Sequence, residues 1–235
     1  MGGTSSPATA AETVRHRWRF AVVLSASLLL AVAQPLTSGL FGDQGSFDVF
    51  FSVLIGAVLL LVFEEREHRR IAMSLGLAAL LGIWLSRGFG GWAGRVLLVG
   101  SHLLAVGVFA FALYMILRAV FAKQASADAI FGAVCGYILL GIIWSLLYSA
   151  IETASPGSFA MPVPRQPNAA AARPDRGVLG YYSFITLATV GYGDVTPTTP
   201  LARTLAWMEA ITAQFYLAIL VAGLVGFKVA QALKE

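Results

Sequence analysis

Six stretches of this 235-residue chain run predominantly apolar, at positions 20–36, 47–63, 71–86, 96–122, 129–151 and 201–233, and turn-forming or charged residues separate them. A helix needs about 20 such residues to cross a hydrocarbon core of ~30 Å. The pattern leaves little chain for a soluble globular module. Composition points the same way, with 58% of residues apolar and 12% charged against about 45–50% and about 25% in an average soluble domain. The chain reads as an integral membrane protein. The third run is the shortest, roughly 24 Å long at 1.5 Å per residue, and Arg70 and Arg87 are placed to snorkel at its ends.

The net charge of +4 does not indicate nucleic acid, because the 16 Lys and Arg residues lie in short clusters at the ends of apolar runs, where they act as topology signals. Cys135 is the only cysteine, so no disulfide within the chain and no Cys-based metal site is expected. His16, His68 and His102 lie in different segments without ligand spacing. No metal enzyme, no organic cofactor and no catalysis are expected.

Residues 1–18 form a polar leader, and Arg15, Arg17 and Arg19 precede the first apolar run. That run fits a membrane span. It also fits a secretory signal peptide, since a basic region, an apolar core and Ala31-Val32-Ala33 follow in order. The second run stops at Glu64–Arg70, a solvated connection, and Gly88–Gly94 makes a turn before the fourth. A four-span region is thus expected over 19–123 and a second unit over 124–235. Within the second, an outer helix precedes a proline-rich loop at 152–177, a short apolar segment at 178–188, a hexapeptide at 189–194 and a last helix at 201–233. With a cytoplasmic N-terminus, ten Lys and Arg fall inside and six outside. The positive-inside rule therefore favours both termini in the cytoplasm.

The hexapeptide is Thr189-Val190-Gly191-Tyr192-Gly193-Asp194, between a segment too short to cross and a full span. Unwound backbone at membrane depth is tolerated only where protein buries it or it lines a water-filled path. Gly191 and Gly193 permit dihedrals closed to other residues, so successive carbonyls can turn to one axis and replace the water shell of a monovalent cation. Val190 and Tyr192 would pack away from that axis, and Thr189 would add a hydroxyl at the inner end.

The hexapeptide resembles the selectivity filter of the potassium-channel family, Tyr181–Ala188 resembles that family's pore helix, and Pro197 with Arg203 resembles its exit from the filter. The resemblance implies an all-α membrane protein of six spans with a re-entrant pore helix and filter between the fifth and sixth, assembled as a homotetramer among membrane lipids of the plasma membrane. It implies passive potassium conduction, with K+ as permeant ion held at Thr189, Val190, Gly191 and Tyr192, Gly193 completing the column, and Asp194 supporting the outer mouth. Tyr182 is the expected hydrogen-bond partner of Asp194, because Ile185 stands where some members carry a glutamate. Ala213 replaces the usual hinge glycine, so any bending is expected near Gly223 and Gly226. Potassium-uptake transporters use related loops, but with four unlike ones per chain against one here.

A voltage sensor needs arginines or lysines at every third position of the fourth span. Between Arg95 and Arg118 there are none, so steep voltage gating is not expected. A nucleotide-binding or calcium-sensing domain is not expected within this chain either. Glu209, about two turns into the last run, reads either as a tuning carboxylate near the filter or as a structural residue, and His102 carries the same two readings. Gln214, Leu217, Val221 and Val225, at 3, 4, 4 spacing, fit a cavity-facing stripe and equally a packing stripe.

Overall fold

The structure, a computed structural model, describes residues 24–26, 28–29, 36, 43–62, 69–122, 127–161 and 174–233. The polar leader, most of the run at 20–36, His16, His68 and positions 162–173 of the proline-rich loop lie outside the described residues. The rest is mostly helical: α1 (Asp43–Val62), α2 (Arg69–Ser86), α3 (Gly91–Ala122), α4 (Ala127–Ala154), α5 (Arg176–Leu187) and α6 (Pro200–Ala232). Two short strands, β1 (Phe159–Ala160) and β2 (Thr196–Pro197), pair antiparallel. Apolar runs of this length become helices because in hydrocarbon each N–H and C=O must find its partner within its own segment.

Among the described residues, three helical stretches are long and apolar enough to cross a membrane: Gly91–Phe121, Ile130–Ala154 and Pro200–Gly223. The stretches Phe47–Leu59 and Arg70–Ser86 are apolar but shorter. Boundaries differ from the sequence expectation where side chains intervene. The glycine-rich turn contracts, and α3 already begins at Gly91. Helix α4 runs on to Ala154 because the Glu152 carboxylate is not solvated but folds over the helix end, accepting from the backbone N–H groups of Gly157 at 2.8 Å and Phe159 at 3.0 Å.

Two apolar cores organise the packing. In the first, Phe51 and Leu54 of α1, Phe109 and Ile116 of α3, and Leu139 and Leu146 of α4 are fully or almost fully buried, with α2 closing the side through Ala79 and Ile83. The second lies between α4 and α5 and the segments around β1 and β2, and is built on Tyr148, Phe159, Leu179, Leu187 and Val195. Helix α4 belongs to both, and 67% of its apolar stretch is buried against 11% for α6. The centre of the molecule is therefore α4, with α5 laid against it and α6 mostly uncovered.

Candidate functional site

Helix α5 is short because both of its ends are fixed. Asp175 caps the start, its Oδ1 accepting from the N–H of Val178 at 2.8 Å. At the other end Ala188 is the cap, Thr189 takes the left-handed conformation at φ 58, the N–H of Val190 reaches the carbonyl of Ile185 at 2.8 Å, and that of Thr189 reaches Thr186 at 3.0 Å. This is the two-bond left-handed helix stop usually built on glycine. A β-branched residue there is an outlier, and outliers of this kind gather at functional sites. The Ile185 carbonyl takes a second bond from Gly191 N–H at 3.2 Å, which carries the fixed geometry into the loop.

Beyond the stop, positive φ recurs at alternate residues: Thr189 at 58, Gly191 at 54 and Gly193 at 77. In a strand of uniform hand successive carbonyls point to opposite sides. Alternating hand is what allows them to face one way, and glycine supplies it without steric cost. Residues 189–193 are all exposed in the single chain, the apolar side chains of Val190 and Tyr192 included.

Four side-chain tethers hold α5 and this loop. At the start of α5, Arg176 pairs with Asp48 of α1, a buried carboxylate that also receives Arg87 from the α2–α3 turn, Nη2 to Oδ2 at 2.6 Å. Midway, Ser183 Oγ lies 2.5 Å from Glu209 Oε1 and 2.8 Å from the Gly141 carbonyl. At its end, the Tyr137 hydroxyl of α4 donates to the Leu187 carbonyl at 3.0 Å. Outside the loop, the Tyr181 hydroxyl donates to Asp194 Oδ2 at 2.8 Å, while Asp194 Oδ1 accepts from Val195 N–H at 3.1 Å. The Tyr181 bond to a carboxylate raises that phenol above its ordinary range.

The last tether corrects the sequence expectation, which gave Asp194 to Tyr182. Adjacent helical residues project about 100° apart, so only one of the two tyrosines can meet the loop. Tyr182 turns instead into the second core, where its ring stands edge-on to Tyr148 at 5.2 Å and to Phe159 at 5.3 Å. It supports α5 by packing and not by a bond to Asp194.

Glu209 is fully buried and lies between α4 and α5, its Oε2 2.5 Å from the Tyr148 hydroxyl. Gly141 allows this proximity, since a Cβ there would stand 2.7 Å from Phe184 Cε1. The loop's exit is fixed by the strand pair, by Thr198 N–H on the Ser158 carbonyl at 2.9 Å, and by Arg203 Nε on the Pro197 carbonyl at 3.2 Å. The structure thus brings Pro197 and Arg203 together.

Helix α6 continues unbroken through Gly223 and Gly226. Gly223 faces the Phe121 ring of α3, and among the described residues nothing lies within 4 Å of where a Cβ on Gly226 would stand. Gln214, Leu217, Val221 and Val225 are all exposed in the single chain. His102 is buried on α3, and neither ring nitrogen has a hydrogen-bond partner among the described residues. Three contributors escaped the sequence reading. Asp48 and Glu152 are acids at the ends of apolar runs, and Arg176 falls within the proline-rich loop at 152–177, and none of the three was assigned a role. The one available signal was an acid placed at the rim of an apolar run.

Residues 170–228, which span α5, the loop and most of α6, match the family model described as "Ion channel". The match supports passive ion conduction and a membrane protein. No curated protein and no solved structure matches the chain.

Proposed function

We propose that this chain is the subunit of a potassium-selective channel, in which four copies place residues 189–193 around one axis and the carbonyls of Thr189, Val190, Gly191, Tyr192 and Gly193 replace the hydration shell of K+ in single file. The observation that carries this reading is the alternation of positive φ at Thr189, Gly191 and Gly193 directly beyond the strained end of α5. Such a strip of backbone, exposed on one chain, needs neighbours that supply the other carbonyls. It also needs cover for Val190 and Tyr192, and three further copies meet both needs.

In this reading α5 is a re-entrant pore helix, α4 the outer helix and α6 the inner helix. The partial negative charge at the C-terminus of α5 then faces the cation path. The exposed stripe of Gln214, Leu217, Val221 and Val225 faces the inner cavity, and Asp194, held by Tyr181, supports the outer mouth. The chain crosses the plasma membrane six times with both termini in the cytoplasm, and conduction is not steeply voltage-dependent because α3 carries no charge between Arg95 and Arg118.

The test pairs subunit counting with one substitution. In mild detergent the full chain is expected to run as a tetramer, and Gly191→Ala, placing a Cβ at φ 54 in the strip, is expected to abolish K+ flux in liposomes without dissociating it. Flux from a monomer, or unchanged flux in Gly191→Ala, would refute the reading.

A further inference from the structure

We infer that Glu209 holds a proton and acts as a neutral positioning residue that locks the midpoint of α5 to α4 and α6. The number of hydrogens at this point decides its state. Three short oxygen contacts meet at this point: Tyr148 hydroxyl to Glu209 Oε2 at 2.5 Å, Ser183 Oγ to Glu209 Oε1 at 2.5 Å, and Ser183 Oγ to the Gly141 carbonyl at 2.8 Å. The two hydroxyls bring two hydrogens. If Glu209 is ionised, both hydrogens go to it, and Ser183 Oγ is left against the Gly141 carbonyl with no hydrogen between them. A third hydrogen, on Glu209, removes that conflict.

With it the bonds close into a ring. Glu209 on α6 donates to Ser183 on α5, Ser183 donates to the Gly141 carbonyl on α4, and Tyr148 on α4 donates back to Glu209. Each of the three helices gives one bond and receives one. The surroundings favour the neutral form, since an unpaired buried carboxylate is costly and no Lys or Arg pairs with Glu209 among the described residues. The other titratable groups around it are tyrosines, Tyr137 and Tyr148 on α4 and Tyr182 on α5. No charge-transfer step is involved, and the hydrogen bonds of Glu209 go to Tyr148 and Ser183, not to residues 189–193. It acts on the filter through the position of α5, and that effect rests on the channel reading above, whereas the proton does not.

The experiment uses the full chain in lipid nanodiscs and in liposomes at neutral pH, with Glu209→Gln, Glu209→Ala and Ser183→Ala. Glutamine keeps the shape, its carbonyl accepting from Tyr148 and its amide donating to Ser183. The infrared difference spectrum of wild type minus Glu209→Gln is expected to show the C=O band of a protonated carboxyl. Glu209→Gln is expected to hold K+ flux within about threefold of wild type, since it replaces each bond in kind, whereas Glu209→Ala and Ser183→Ala are expected to lose about tenfold or more by stranding buried hydroxyl or carboxyl groups. Carboxylate bands in the difference spectrum would overturn the assignment, and so would a Glu209→Gln protein as impaired in assembly or flux as Glu209→Ala. A wild-type protein that passes no K+ refutes the channel reading instead, and the infrared result still reads the proton.

Discussion

Replacing Asp48 by alanine removes the anchor of α5 at the end remote from the candidate filter. The carboxylate is 1% exposed and holds two arginines of unequal burial, Arg176 at 12% and Arg87 at 41%. Water screens the Arg87 contact, which is worth at most ~1 kcal/mol. Arg176 has little access to water, and breaking a buried pair by deleting one partner costs about 3–5 kcal/mol. Arg176 also opens a helix, where a cation opposes the macrodipole by roughly 0.3–1 kcal/mol. Asp48 offsets that term too. The sum for Asp48→Ala is a destabilisation of about 4 kcal/mol, discounted for partial resolvation of Arg176. The assay is reversible unfolding in mixed micelles for Asp48→Ala, Arg176→Ala and the double variant. The double variant is expected to be less impaired than the sum of the singles by about 1–3 kcal/mol, and K+ flux should fall in each single variant as α5 loses its seat. A loss under ~1 kcal/mol in Asp48→Ala, or strict additivity, would refute the anchor.

Tyr181→Phe removes the bond to Asp194 and is expected to cost about 1 kcal/mol at most in stability while making flux sensitive to external K+. Tyr182→Phe should leave that behaviour unchanged, which recordings at two external K+ concentrations check. Thr189→Gly relieves a left-handed β-branched residue, worth about 1–2 kcal/mol, against about 0.5–1 kcal/mol for glycine's greater freedom when unfolded. Unfolding is therefore expected at equal or slightly greater stability, with K+ flux nevertheless reduced through loss of the Thr189 hydroxyl. Gly141→Ala drives a methyl into Phe184 and is expected to destabilise by about 1–3 kcal/mol, measurable in the same unfolding assay.

The helices were legible because apolar period and length are local properties: the runs at 71–86, 129–151 and 201–233 appear as α2, α4 and α6 within a few residues at each end. The hexapeptide was legible because only glycine at its two positions makes such a strip easy to build. What escaped the sequence depends on contacts distant along the chain. Asp48 and Arg176 lie 128 residues apart, and nothing local marks them as a pair. The choice between Tyr181 and Tyr182 turns on the helical phase of α5 relative to the loop, which the neighbouring core sets through Tyr148 and Phe159. Thr189 in a glycine's place runs against propensity, and only the bonds from Thr189 and Val190 back into α5 reveal the stop.

In the proposed channel, a column of carbonyls from residues 189–193 passes potassium and rejects sodium. The most direct measurement is the reversal potential of the purified full chain in a planar bilayer with potassium on one side and sodium on the other. A potassium-selective column is expected to displace the reversal potential towards the potassium equilibrium value, with currents blocked by barium. A reversal potential near zero, meaning equal passage of the two ions, would contradict it.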